Sequence, residues 1–295
     1  MSWEILGQVF VYGIFIGALY GLTAIGFSFV FGVMKVLNIA HGSLLMLGAY
    51  GSFWLFFLLK IDPYVSIPIV AIALFLLGLA MYRCLLASLI KLPETLKINT
   101  SLLVAFGAIL ILDNLAIMLF TADERSITPA YAGSGIELFG VVLPFTRILG
   151  LAITILVIIA LQQFLLKTYF GKSIRAITQN WESASLIGIN VQKTYLISFG
   201  LSAVLASIAG TLVGIGWAIS PGMGLEWTLK AMIVVCLGGM GSIGGTLVAG
   251  LILGVVESVS GIFIGPYMEA VGLIMLLLVI SFRPQGLFGS RPIGI

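Results

Sequence analysis

Charged side chains are scarce in this chain of 295 residues: Lys, Arg, Asp and Glu together make up 8% of the sequence. Water-soluble globular proteins carry about 25% charged residues, so the composition excludes a soluble globule. Hydrophobic residues account for 61% of the chain, and the mean hydropathy is +1.23. The composition therefore indicates an integral membrane protein.

Histidine and cysteine are almost absent, which limits the chemistry that the chain can perform. His41 is the one histidine, and Cys84 and Cys236 lie far apart without C-x-x-C spacing. These residues offer no metal-ligand set, no nucleophile with its base and no disulfide. We therefore expect no catalytic residue, no metal and no cofactor in this chain, and we do not expect an enzyme.

A nucleotide-binding site is also missing. Gly171-Lys172-Ser173 resembles the end of a phosphate-binding loop, but Leu166 stands where that loop needs its first glycine. Any ATP that drives the protein must therefore be hydrolysed by another polypeptide. The sequence also has no basic stripe with interleaved aromatic residues, so nucleic acid is not an expected partner.

Long apolar runs are what the chain has in abundance. A helical span needs about 20 residues to cross ~30 Å of hydrocarbon, and no basic cluster marks the first run as a cleaved signal peptide. We predict an all-α fold, a polytopic transmembrane bundle of eight full spans plus a short or broken helix, in one transmembrane domain over 1–295. The apolar runs are 8–34, 37–60, 64–90, 98–120, 148–170, 194–219, 228–262 and 267–282.

Segment 171–193 is the longest polar and charged stretch, and we predict that it lies in the cytoplasm. Alternating spans then place most cations on the cytoplasmic side, as the positive-inside rule requires, with Lys60, Arg125 and Arg147 outside. The N-terminus and loop 121–147 lie outside in this arrangement. The cytoplasmic cations are Lys35, Arg83, Lys91, Lys97, Lys167, Lys172, Arg175 and Lys193, and Arg283 and Arg291 place the C-terminus on the same side.

Within this segment, residues 182–188 have the form E-x-A-x-x-x-G. This pattern is typical of a short amphipathic helix that ends at a glycine. A partner ATPase could push on such a helix, so 171–193 is a candidate coupling loop. An ordinary solvated loop is the alternative interpretation.

The glycine cluster Leu237–Gly245 interrupts the apolar run 228–262. Residues 228–241 would extend only about 21 Å as a helix, so we predict a short or broken helix there. Such breaks occur at membrane depth where protein or a water-filled cavity surrounds them. Leu47–Ser52 and Leu237–Ser242 share four of six residues, which indicates either an inverted repeat or a coincidence among 36 glycines.

Other glycines recur four residues apart, at Gly13, Gly17 and Gly21, at Gly210 and Gly214, and at Gly250 and Gly254. Small residues at this spacing let helices approach closely. We therefore predict tight helix packing at these positions and assign them no chemistry.

The polar cluster from Asn38 to Ser43 precedes the second span and contains His41. The favoured interpretation is structural, with Asn38 or His41 capping a helix start or fixing a break. Pathway lining or gating is the alternative. Half-helix N-termini near Gly42 or Gly245 could attract a carboxylate, so Asn38, His41, Gly42, Gly241 and Gly245 are candidate pathway residues.

Four blocks in this order resemble one family, the permease subunits of branched-chain amino-acid ABC importers, and specifically the H-type of the two paired permeases. The resemblance covers nearly the whole chain. The blocks are GLTAIGFSFVFGVMKVLNIAHGSLLMLGAY (21–50), RAITQNWESASLIGIN (175–190), LGGMGSIGGTLVAGLILGVVES (237–258) and FRPQGLFG (282–289). Importers of urea, short amides and other amino acids have similar permeases, so the resemblance leaves the substrate open among these.

The resemblance implies half of a translocation pathway for branched-chain amino acids in a bacterial inner membrane. The implied partners are a second permease, two cytoplasmic ATPases that hydrolyse the ATP, and a periplasmic binding protein. It assigns ATPase coupling to Arg175, Glu182, Ala184 and Gly188, with Glu182 fixing the short helix by a salt bridge or cap. A secondary ion-coupled carrier is the alternative from another class, and few acids stand deep in the spans to support it.

Overall fold

The computed structural model describes residues 3–138, 140–283 and 285–288. Arg291, and Pro284 and Gly289 of the terminal sequence block, lie outside the described residues. The described chain is mostly helical. Its α-helices are α1 (Trp3–Met34), α2 (His41–Leu59), α3 (Pro63–Met81), α4 (Glu94–Phe120), α5 (Phe145–Lys167), α6 (Tyr169–Gln179), α7 (Trp181–Leu186), α8 (Val191–Gly216), α9 (Met223–Gly238), α10 (Ile243–Ile264) and α11 (Met268–Phe282).

Shorter elements join some of these helices. A π-helical turn (Tyr82–Leu86) and a 3-10 turn (Leu89–Lys91) follow α3, and a 3-10 turn (Gly265–Tyr267) joins α10 to α11. Two strands, β1 (Gly135–Leu138) and β2 (Val141–Pro144), form an antiparallel hairpin with Gly135 opposite Pro144. The described chain is mostly helical, as the all-α prediction expects, and this short hairpin pairs the backbone of the extended segment between α4 and α5.

Seven stretches of the described chain are long and apolar enough to cross a membrane, so the predicted count of eight full spans is not confirmed. The last stretch, Ile243–Phe282, contains both α10 and α11. The short helix predicted at 228–241 is present as α9, whose 16 residues end at Gly238. Gly239 and Gly241 then have φ angles of +95° and +87°, which favour glycine and break the helix.

Leu47–Ser52 and Leu237–Ser242 differ in local structure. The first segment lies inside α2, whereas the second contains the break between α9 and α10. The sequence similarity of the two segments therefore does not extend to their backbone conformation, and the inverted repeat stays a prediction.

The connections between helices gather at two ends of the bundle. At one end, a cavity of about 820 Å³ is lined by the end of α1, the turns after α3, and α6 to α8. At the other end, Gln8 of α1 bonds Val142 of the hairpin, Asp62 accepts a hydrogen bond from Tyr131, and the backbones of Arg125 and Ile219 pair. The predicted cytoplasmic and outer connections thus lie at opposite ends of the molecule.

Helices α1 and α8 occupy the centre of the bundle because small residues line them. Most of each helix is buried, whereas α3, α4 and α5 are largely exposed on the bundle surface. The predicted close packing of glycines is confirmed where α1 crosses α10 antiparallel. A Cβ at Gly17 would stand 2.8 Å from the Gly250 carbonyl oxygen, and one at Gly254 would collide with the Gly17 backbone.

We predict that Gly254→Ala lowers the free energy of unfolding by about 1–3 kcal/mol, because the added methyl group overpacks the contact between α1 and α10. Gly244→Ala on the same helix is the matched control, since a Cβ there meets nothing within 4 Å. Thermal unfolding of both purified variants in mild detergent measures the difference. Equal melting temperatures would contradict the packing account.

Candidate coupling segment and broken helices

The predicted coupling loop is two helices, which we call the coupling segment (168–190). Helix α6 starts at Tyr169, before the predicted boundary, and residues 191–193 already belong to α8. The Thr168 hydroxyl accepts a hydrogen bond from the Gly171 N–H and caps α6. Gly171 packs against the end of α5, where a Cβ would collide with the Phe164 carbonyl oxygen. This contact fixes the segment to the membrane-spanning part.

Helix α7 coincides with the predicted short amphipathic helix, and both of its ends are capped by hydrogen bonds. The Asn180 side chain accepts a hydrogen bond of 2.9 Å from the Ser183 N–H. At the other end Gly188 has φ +87°, its N–H donates to the Ser185 carbonyl, and the Ile189 N–H donates to the Ala184 carbonyl. This pair of bonds is the Schellman motif, and it explains why a glycine stands at 188.

Within the described residues Glu182 takes neither the cap nor the salt bridge expected of it, and its role in coupling stays a prediction. Asn180 supplies the cap, and among the described residues no cation lies within 4 Å of the exposed Glu182 carboxylate. Ala184 is 2% exposed and faces the protein. Arg175 is exposed on α6, where its guanidinium reaches the Leu166 carbonyl at 3.5 Å. Glu182 and Arg175 are therefore open to a partner.

Large apolar side chains project from α7 and its end into solvent. The exposed fractions are 54% for Trp181, 87% for Leu186 and 76% for Ile187. Exposed apolar groups of this size rimmed by polar residues mark surfaces that contact another protein or a membrane. We call Trp181, Leu186 and Ile187 the α7 surface.

The segment before α2 contains the second set of predicted residues. Asn38, His41 and Gly42 lie at this break, and His41 Nε2 donates to the Thr23 carbonyl oxygen at 3.0 Å. Thr23 is 11 residues before the end of α1, which is about 16 Å at 1.5 Å per residue. The chain therefore turns back beside α1 before α2 begins, and α2 starts inside the bundle.

Neither Asn38 nor His41 caps α2, so that part of the structural prediction is wrong. Ala40 occupies the N-cap position without a side-chain bond. Instead, Thr228 of α9 accepts a 3.0 Å hydrogen bond from the Gly42 N–H, and its hydroxyl lies 3.0 Å from the Ile39 carbonyl. A Cβ at Gly42 would collide with the Gly224 carbonyl oxygen, so glycine is needed for α2 and α9 to meet.

His41 is fully buried and has protein partners on both ring nitrogens. Besides the Thr23 contact, Nδ1 lies 3.4 Å from the Ser202 Oγ of α8. The structural interpretation of His41 is therefore favoured, because it fixes the break against α1 and α8. Asn38 is 5% exposed and lines a cavity of about 10 Å³.

Gly241 and Gly245 lie at the other break, between α9 and α10. The Gly241 N–H donates to the Ser28 Oγ of α1, and the Gly245 N–H donates to the Ser242 Oγ, which caps α10. The N–H groups of Gly42 and Gly245, which the sequence suggested for a carboxylate, thus already have protein partners. The two breaks are separate, with Gly42 beside the start of α9 and Gly241 beyond its end.

A buried ion pair that the sequence analysis missed holds α9 in place. Lys230 Nζ lies 2.6 Å from Glu257 Oε1 of α10, and the Tyr20 hydroxyl donates to the other Glu257 oxygen at 2.9 Å. Glu269 of α11 lies 3.7 Å from the same ammonium group. Lys230 lies inside the apolar run 228–262, and so does the acidic Glu257. The presence of one cation and one acid in the same run is the sequence signal that could have indicated a buried ion pair.

Comparisons with known proteins agree on one family. A family model described as "Branched-chain amino acid transport system / permease component" matches residues 9–281. The high-affinity branched-chain amino acid permease protein BraD of Pseudomonas aeruginosa is 31% identical over 97% of this chain and 96% of that protein. LivH of Salmonella typhimurium is 29% identical over 95% and 94%, and the probable LivH of Methanocaldococcus jannaschii is 28% identical over 91% and 88%.

We predict that Thr228→Val destabilises the protein by about 1–3 kcal/mol, because the Gly42 N–H loses its acceptor inside the bundle. Thr228→Ser keeps the hydroxyl and is the matched control. Thermal unfolding in detergent measures both variants. A valine variant as stable as the serine variant would show that the hydroxyl does not hold the start of α2.

We predict that Lys230→Met and Glu257→Leu each lower stability by about 3–5 kcal/mol, since each leaves a buried charge without its partner. The double variant should recover much of this loss. Glu269→Gln, at a side chain that is 68% exposed, should have little effect. Additive losses in the double variant, measured by thermal unfolding, would contradict the ion-pair account.

Proposed function

The chain belongs to the family of permease components of branched-chain amino acid transport systems, and we propose that it is one permease subunit of an ATP-driven importer. The subunit forms half of the translocation pathway for branched-chain amino acids, and a second permease forms the other half. The family match over residues 9–281 supports this function, and so does the sequence similarity to BraD along nearly the full length of both chains.

Two cytoplasmic ATPases and a periplasmic binding protein complete the proposed importer. The ATPases hydrolyse ATP, and this chain binds no cofactor. The binding protein delivers the substrate to the outer face. We place the importer in a bacterial inner membrane, with the N-terminus of this chain outside and its C-terminus in the cytoplasm.

The distribution of charge over the two ends of the bundle supports this orientation. Lys35 and Lys97 line the large cavity beside the coupling segment, and Arg175 and Lys193 lie in or next to that segment. Cations concentrate on the cytoplasmic side of membrane proteins. In this orientation α9 crosses as a short span, and α10 and α11 make two further crossings that bring the C-terminus inside.

The geometry of α7 supports a role in coupling. Its capped ends make it a rigid element, and more than half of each side chain of the α7 surface is exposed. Arg175 and Glu182 lie exposed in the same segment, and Ala184 and Gly188 set its packing and its end. We propose that an ATPase binds this surface, and that ATPase movement reaches the pathway through α6 and the end of α1.

The cavity of about 820 Å³ lies beside this route. Its wall includes Asn180, Trp181 and Ser185 of the coupling segment and Gly32 and Lys35 at the end of α1. Helix α6 packs against α7, α1 and α8, so a displacement of α7 passes to the bundle through these contacts. Packed elements of this kind transmit movement by shifting as rigid units.

We predict that Leu186→Glu abolishes co-purification of the ATPase, because a carboxylate replaces a large apolar contact at the centre of the α7 surface. Leu186→Met keeps the volume and apolar character and should retain the ATPase. The measurement is mass spectrometry of the complex purified in mild detergent, with uptake of labelled leucine into cells as the second readout.

Retention of the ATPase by Leu186→Glu would overturn the assignment of the α7 surface. The elution profile of each variant separates loss of binding from loss of folding. Uptake without any associated ATPase would overturn the importer assignment itself and favour an ion-coupled carrier.

A further inference from the structure

Two carboxylates of the described chain stand well inside the apolar helices, and their surroundings differ. Glu257 has Lys230 and Tyr20 as partners. Asp113 of α4 has no cation within 4 Å among the described residues, and the Ser43 hydroxyl donates a hydrogen bond of 2.8 Å to its Oδ1. Asp113 precedes the end of α4 by seven residues, which is about 10 Å.

Asp113 belongs to a mixed patch on an exposed face of α4. Asn114 is exposed, and its Nδ2 donates to the Leu110 carbonyl at 2.7 Å, which leaves its carbonyl oxygen open. Leu110 and Ile117, one turn to either side, are 50% and 45% exposed. We call Leu110, Asp113, Asn114 and Ile117 the Asp113 patch. It presents two hydrogen-bond acceptors between two aliphatic side chains.

This patch is costly to expose to lipid. On insertion scales a carboxylate costs about 2.5–3.5 kcal/mol at the centre of a membrane helix and less towards its ends, and such residues normally face protein or a water-filled cavity. Ser43, which donates to Asp113, stands in the first turn of α2, the helix that begins inside the bundle. The patch is therefore continuous with the break between α1 and α2, the kind of feature that surrounds a substrate route in transporters.

We propose that the Asp113 patch faces the aqueous substrate route and binds the α-ammonium group of an amino acid. Asp113 Oδ2 and the Asn114 carbonyl oxygen accept hydrogen bonds from the ammonium group, and Leu110 and Ile117 contact the aliphatic side chain. This inference rests on the proposed function, and it adds a binding site for the substrate within this subunit.

The chemistry of the patch distinguishes among substrates. A primary ammonium group offers three donors and a positive charge, both of which match a carboxylate without a cation partner. Urea and short amides carry no such charge and gain no ionic attraction there. A carboxylic acid without an ammonium group would be repelled by Asp113.

Cysteine labelling at Ile117 tests whether the patch lies in water and carries the Asp113 charge. The complete transporter is labelled in membranes after Cys84 and Cys236 are replaced by serine and Ile117 by cysteine. The reagents are the cationic trimethylammonioethyl and the anionic sulfonatoethyl methanethiosulfonates. Leu156→Cys, on a 65% exposed apolar position of α5, is the matched control, and we expect this position to face lipid.

We expect Ile117→Cys to react with both reagents and Leu156→Cys with neither. The ratio of the labelling rates with the cationic and the anionic reagent should be about tenfold higher for this cysteine than for a small free thiol. The reason is that the Asp113 carboxylate attracts the cationic reagent. Asp113→Asn in the same background should remove this excess. L-leucine should slow the labelling, whereas isocaproate, which lacks the ammonium group, should not.

An unreactive Ile117→Cys would place the patch in lipid or in a dry subunit interface and would overturn the inference. Labelling without an Asp113-dependent preference, or equal protection by isocaproate, would also overturn it. Co-purification of the ATPase in the same preparations tests the proposed function separately, since its absence would point to failure of that function. An unchanged elution profile for Asp113→Asn excludes misfolding as the cause of a lost preference.

Discussion

Backbone polar groups inside an apolar bundle must find partners within the protein, and this constraint shapes the turn between α1 and α2. The Thr228 hydroxyl of α9 accepts a hydrogen bond from the Gly42 N–H. The His41 side chain donates a hydrogen bond to the Thr23 carbonyl of α1. One break in the chain thus fixes three helices against one another. The early start of α2 inside the bundle follows from these contacts, and so does the position of α9.

The same short helix is held along its whole length. Gly224 at its start packs against Gly42, Lys230 in its middle pairs with Glu257, and Gly238 at its end packs against Gly245. Helix α9 is therefore a rigid connector between the break before α2 and the break before α10. A conformational change that moves either break must move α9 as a unit or disrupt these contacts.

Sequence reasoning could predict the membrane class, most spans, the glycine contacts and the short helix, because each depends on local composition or spacing. It located α7 and its glycine terminator for the same reason. It expected Glu182 to fix α7 by a salt bridge or a cap, whereas Asn180 caps the helix, since both residues suit a helix start and only the backbone distinguishes them. Thr228 and Lys230 were missed because their partners lie 186 and 27 residues away in sequence.

Reconstitution of uptake tests the central claim, that this chain is a pathway subunit driven by a separate ATPase. The chain would be placed in liposomes with its second permease and ATPases, with the binding protein and labelled leucine outside and ATP inside. The account predicts leucine accumulation only when ATP and all partner subunits are present. Uptake by this chain alone, driven by an ion gradient without ATP, would contradict it.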